Sequence, residues 1–165
     1  MRWLRHLFAG DPVARHFPPA TLDAIQHAIA AGERRHRGEV CFAVEGALPW
    51  RLALSRRSVR ERAAEVFAHL RVWDTRENTG VLIYVLLAEH AIEIVADRGI
   101  DLHVDAADWA AMAKRMAQAF RDGRFEDGLT QALEEVSALL VQHFPADPNA
   151  PARGNELPDA PVVLL

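Results

Sequence analysis

Hydrophobic positions along this chain recur with two different periods, and each change of period marks an element. Leu22, Ile25 and Ile29 fall at helical spacing in the segment that follows two prolines. Between Gly38 and Gly46 the period drops to two: Val40, Phe42 and Val44 alternate with Glu39, Cys41, Ala43 and Glu45, which predicts a half-buried strand. Ser58 to Glu61 reads "SVRE", a capping box that starts a helix with Ala63, Val66, Phe67 and Leu70 on one face. "VLIYVLLA" at 81–88 is apolar throughout, as in a central strand covered on both sides. After a tight break at Glu89-His90, "AIEIVA" predicts its antiparallel hairpin partner. Trp109, Met112, Met116 and Phe120 then form the stripe of a helix that Asp105 is placed to cap. A last helix carries Phe125, Leu129, Leu133, Val136, Leu140 and Phe144.

The order is helix, strand, helix, strand, strand, helix, helix. A right-handed crossover sets the first two strands parallel, and the hairpin adds an antiparallel one. The expected fold is a three-layer α/β/α sandwich with a mixed sheet. Its organisation reads as an amphipathic helix and linker over 1–16, a domain over 17–144 and a proline-rich extended tail over 145–165. The tail ends in "APVVLL", apolar enough to dock.

Composition narrows the class. Half of the 165 residues are hydrophobic and a quarter are charged, as in a globular domain with a real core. A formal net charge of −4 offers no basic excess for nucleic acid. Cys41 is the single cysteine, so no internal disulfide forms. At the start, Arg2, Arg5 and His6 interrupt any signal-like apolar core, while Trp3, Leu4, Leu7 and Phe8 share one helical side. No apolar run reaches the length of a transmembrane helix. The expectation is a cytoplasmic protein.

Topology turns the hairpin into a site argument. The start of the central strand lies beside the end of its partner, so "WDTRENTG" and "DRGIDLHVD" emerge at one edge of the sheet. Together they offer Asp74, Glu77, Asn78, Asp97, Asp101 and Asp105, oxygen donors of the kind that hard divalent cations take from loops. Gly80 and Gly99 permit close backbone approach. The alternative reading is a solvated loop rich in turn-forming Asp. His103, between Asp101 and Asp105, is a further candidate ligand. His6, His16, His27, His36 and His69 read as surface positions, and "ERRHR" at 33–37 as a solvated helix end. Cys41 reads as an inert buried thiol. A competing ligand location is "EGALPWR" beyond the first strand together with the Glu89-His90 turn, where Trp50 and Arg51 suit an anion; the alternative reading is a surface loop with a packed tryptophan. No dinucleotide, P-loop, HExxH, CxxC or nucleophile-elbow motif is present.

"ENTGVLIYV" entering the central strand and "IEIVADRGI" leaving the hairpin resemble the TPM domain family, whose founding members include a thylakoid lumen phosphatase and a photosystem II repair factor. The resemblance spans about residues 17–144, and the ending "NELPDAPVVLL" is similar to that of short bacterial members. It implies an α/β/α fold and, from various members, acid phosphatase activity, Ca2+ or Mg2+ binding, or a part in assembling membrane proteins. Carried across, the loop before the central strand falls on Asn78 and Gly80, and the acidic segment after the hairpin on Asp97, Gly99 and Asp105. Where many members have a glycine-rich stretch, this chain reads "VADRGID", with Ala96 and Arg98.

Two functions follow as expectations. One is a binding module for an unidentified protein partner or membrane-associated assembly, with a cation held by Asp74, Asn78, Asp97, Asp101 and Asp105. The other is a weak metal-dependent phosphatase in which Asp97 helps hold the ion and Arg98 steadies the phosphoryl oxygens.

Overall fold

The computed structural model describes residues 12–54, 57–149 and 154–164. Helices α1 (Pro12–His16) and α2 (Pro19–Glu33) lead into strand β1 (Glu39–Glu45). Short α3 (Trp50–Leu54) and α4 (Val59–His69) connect it to β2 (Gly80–Leu86), which turns into β3 (Ala91–Ala96). Then follow α5 (Arg98–Asp101), α6 (Ala106–Arg121), α7 (Phe125–His143) and β4 (Val162–Leu164). The apolar face proposed around Trp3, Leu4, Leu7 and Phe8 lies outside the described residues.

Local signals explain the boundaries. Pro19 opens α2, where a missing N–H is no loss. The capping box is complete: Ser58 accepts from the Glu61 N–H, and the Glu61 carboxylate accepts from the Ser58 N–H at 2.7 Å. Asp105 occupies the N-cap position of α6, but its side chain makes no capping hydrogen bond, contrary to the expected role.

The sheet has four strands in the order β3-β2-β1-β4. β1 and β2 pair in parallel from Glu39↔Gly80 to Glu45↔Leu86, and β2 and β3 pair antiparallel from Val81↔Ala96 to Leu86↔Ala91. The turn between them is a 3-10 turn, Leu87–Glu89, closed by His90 in the left-handed region at φ 51°. The expected crossover and hairpin are both present. The fourth strand comes from the tail: Val162–Leu164 lies parallel to β1 with Ala43↔Val162 and Glu45↔Leu164 in register.

Two cores sandwich this sheet. Val40, Phe42, Val44, Ile83 and Ile94 pack with residues of α2, α6 and α7 on one face. Cys41, Ala43, Leu82 and Tyr84 pack with Ala63 and Val66 of α4, and with Leu157 of the tail, on the other. β1 is therefore covered on both sides and not half-buried, because the tail and α4 close the face that its polar alternation had assigned to water.

Candidate functional site

The two loops meet at one end of the sheet as the hairpin geometry requires. The Asp97 N–H donates to the Gly80 carbonyl at 2.8 Å and the Gly99 N–H to the Asn78 carbonyl at 3.0 Å. Both glycines are there for close approach. A Cβ on Gly80 would stand 1.9 Å from the Val72 carbonyl oxygen, and one on Gly99 2.5 Å from that of Asn78. Asn78 itself takes the left-handed conformation at φ 55°, which asparagine tolerates well.

Side chains at this end are committed to one another. Arg98 places Nε and Nη2 on the Asn78 side-chain oxygen at 3.2 and 3.0 Å. Asp74 pairs with Arg71 at 2.5 Å, and Glu77 with Arg37 at 2.7 Å. Asp97 is buried and its Oδ1 accepts from the Arg98 N–H at 2.8 Å, while its Oδ2 is buried with no partner. That orphan oxygen suits a ligand role. Six or more oxygens around one point is what Ca2+ takes, however, and the remaining donors do not converge on it. Asn78 serves Arg98, Asp74 serves Arg71, and Asp101 and Asp105 line a separate cleft. Among the described residues, no three His, Cys, Asp or Glu side chains gather as metal ligands. Asp74, Asn78, Asp97, Asp101 and Asp105 thus do not fit a single cation in this arrangement.

That cleft has a volume of about 410 Å³. It runs along the outer side of β3, between α4 and the start of α6. Glu93, Asp101 and Asp105 line it, with Arg60 as the one basic side chain among the described residues and Ile94 and Trp109 at its floor. Arg60 reaches the Ile94 carbonyl at 2.5 Å and the Glu93 carboxylate at 3.5 Å. Trp109 is buried, and its indole N–H finds no partner among the described residues. His103 stacks on His143 with ring centroids 5.5 Å apart.

Two polar groups escaped the sequence reading. At the carboxyl end of β1, Glu45 is wholly buried. Arg62 grips it with two hydrogen bonds of 3.0 and 2.9 Å, and the Tyr84 hydroxyl donates to it at 2.5 Å. Burial, then the bond to Glu45, holds the Tyr84 hydroxyl above its ordinary pKa, and the bond to Glu45 raises that of Arg62. With every member bonded, this group is a structural post. Its only signal in the sequence is a glutamate at the end of an apolar strand.

The second group underlies the tail. The "ERRHR" segment is only partly a solvated helix end: Arg34 and Arg35 are exposed, but His36 is buried and not a surface position, and burial lowers its pKa to about 4. Glu33 accepts from the Val40 N–H at 2.8 Å, and burial pushes its pKa up to about 8. Glu39, also raised by burial, accepts from the Leu157 N–H at 3.2 Å. Cys41 is buried as expected, with its thiol pushed up to about 11 by burial.

These features define a small α/β/α domain with an acidic cleft beside its hairpin. The TPM domain family model matches residues 13–139, and the chain belongs to that family. Its structure is similar to the BA42 protein from the psychrophilic bacterium Bizionia argentinensis, solved by NMR: TM-score 0.73, 28% identity, 87% of this chain and 92% of that one covered. It also shares the fold of the N-terminal domain of a P. gingivalis protein, with TM-score 0.62 and 15% identity, covering 83% of this chain and 81% of that chain. No protein of curated function matches the chain. Among the described residues, no helix is long and apolar enough to cross a membrane.

Proposed function

We propose that this TPM domain is a binding module whose acidic cleft takes up a positively charged group. The carrying observation is the lining of the cleft: among the described residues, three carboxylates, Glu93, Asp101 and Asp105, stand against the single basic side chain of Arg60. Low-dielectric walls such as Ile94 and Trp109 focus the field of those charges. A phosphatase built on Arg98 and Asp97 has less support. Arg98 would first have to leave Asn78, and Asp97 has one oxygen fixed on the α5 backbone.

Thermal unfolding tests the reading. Calcium, magnesium and a lysine-rich peptide are each added at millimolar concentration, with a chelator control, to wild type and to the Asp101→Asn/Asp105→Asn double variant. A ligand at a hundred times its Kd stabilises by about 2.7 kcal/mol. The expected result is a rise in midpoint with at least one of the three that disappears in the double variant. No rise, or a rise that the variant keeps, overturns the proposal.

A further inference from the structure

We propose that the outer edge of β3 is a strand-addition site for an extended segment of another protein carrying lysine or arginine at alternate positions. This rests on the cleft being a site for positive charge, and adds the backbone chemistry that would choose the ligand.

Among the described residues β3 ends the sheet, so one side of its backbone has no described strand beside it. The Ile94 carbonyl points out of the sheet there, because Arg60 donates to it from outside at 2.5 Å. An added strand would offer a peptide N–H at the same place. Trp109 lines the same cleft, with its indole N–H buried and without a partner among the described residues. Main-chain bonds of this kind supply affinity in strand addition, while alternate side chains supply selectivity. Glu93 on β3, with Asp101 and Asp105 near the start of α6, makes the flanks negative, which selects basic side chains. The same sheet accepts a strand on its opposite edge, where β4 from the tail pairs with β1.

Arg60 has two readings here. Charged side chains commonly guard edge strands against unwanted pairing, and Arg60 covers Ile94 in that manner. In the present proposal it is a plug that an incoming strand displaces, its side chain being about half exposed already at 55%.

The test is binding of a short synthetic peptide of alternating lysine and valine, followed by fluorescence anisotropy. Two control peptides accompany it: one with backbone N-methyl groups on alternate residues, and one with glutamate for lysine. We expect binding of the lysine peptide, a loss of roughly tenfold or more on N-methylation, and no binding of the glutamate peptide. Asp101→Asn/Asp105→Asn should weaken binding by about tenfold, and Arg60→Gln should tighten it by a few fold. Equal binding of the methylated peptide overturns strand addition while leaving the acidic cleft as a cation site. Failure of the lysine peptide together with a calcium or magnesium effect on unfolding does the same. A concentration-dependent dimer that the lysine peptide fails to dissociate assigns the edge to a second copy of this chain, and also overturns the proposal.

Discussion

Gly99 lies directly against the Asn78 carbonyl, donating its N–H at 3.0 Å, with no room for a Cβ that would sit 2.5 Å from the same oxygen. The contact holds the two loops of the hairpin end together, so Gly99→Ala must force them apart. Overpacking of this kind costs about 1–3 kcal/mol. Urea unfolding of the variant should show a lower midpoint with an unchanged slope, and the Asn78 amide resonance should shift. An unaltered midpoint would mean that the loops yield freely and that the edge is not a fixed frame.

Glu45 makes a larger prediction. A fully buried carboxylate held by two bonds from Arg62 becomes an uncompensated charge if Arg62 is removed. Arg62→Met should therefore destabilise by about 3–5 kcal/mol. Tyr84→Phe, which deletes one bond to a charged acceptor, should lose only about 1.5–3 kcal/mol. Replacing the pair together, as Glu45→Leu/Arg62→Leu, should restore much of the loss. If the double variant is as unstable as Arg62→Met, the post holds the fold by something other than charge pairing.

Glu33 and His36 make stability depend on pH with opposite signs. The Glu33 carboxyl titrates near 8 in the fold against an ordinary 4.5, so the unfolded chain releases its proton first and stability falls as pH rises from 4.5 to 8. His36 titrates near 4 against 6.5, so stability falls as pH drops from 6.5 towards 4. Each slope is at most about 1.4 kcal/mol per pH unit. Between 4.5 and 6.5 the two oppose each other, and above 6.5 Glu33 acts without that opposition. Glu39, also raised, adds to the Glu33 trend. Wild type should thus lose stability from pH 6.5 to 8. Glu33→Gln, which keeps an acceptor for the Val40 N–H, should flatten that part of the curve. A Glu33→Gln profile parallel to wild type would sink this account.

The hairpin end was legible in the sequence because an antiparallel pair allows only one placement of its flanking loops, and the glycines that let those loops touch were visible as well. The fate of their polar side chains was not. Asp74, Glu77 and Asn78 take Arg71, Arg37 and Arg98 as partners, and only for Arg71 is the partner a sequence neighbour. Alternation in β1 gave the right strand but the wrong burial, since α4 and a tail far along the chain close its second face. The "APVVLL" ending carried apolarity without register, so docking was legible and the edge it docks on was not.

That tail makes the last prediction. Leu157 is buried beneath the sheet, its N–H on Glu39, and β4 adds only Val162–Leu164 to the edge of β1. A buried Leu→Ala change ordinarily costs about 2–5 kcal/mol. Here there is a ceiling, because a weakened tail detaches and leaves the rest of the domain folded. Leu157→Ala should therefore destabilise by no more than deletion of residues 154–165 does. Amide exchange over 162–164 should rise in the variant towards that of free chain, with β2 still protected. A Leu157→Ala penalty larger than that of the deletion would show that the detached tail harms the domain and that its docking is not an independent unit.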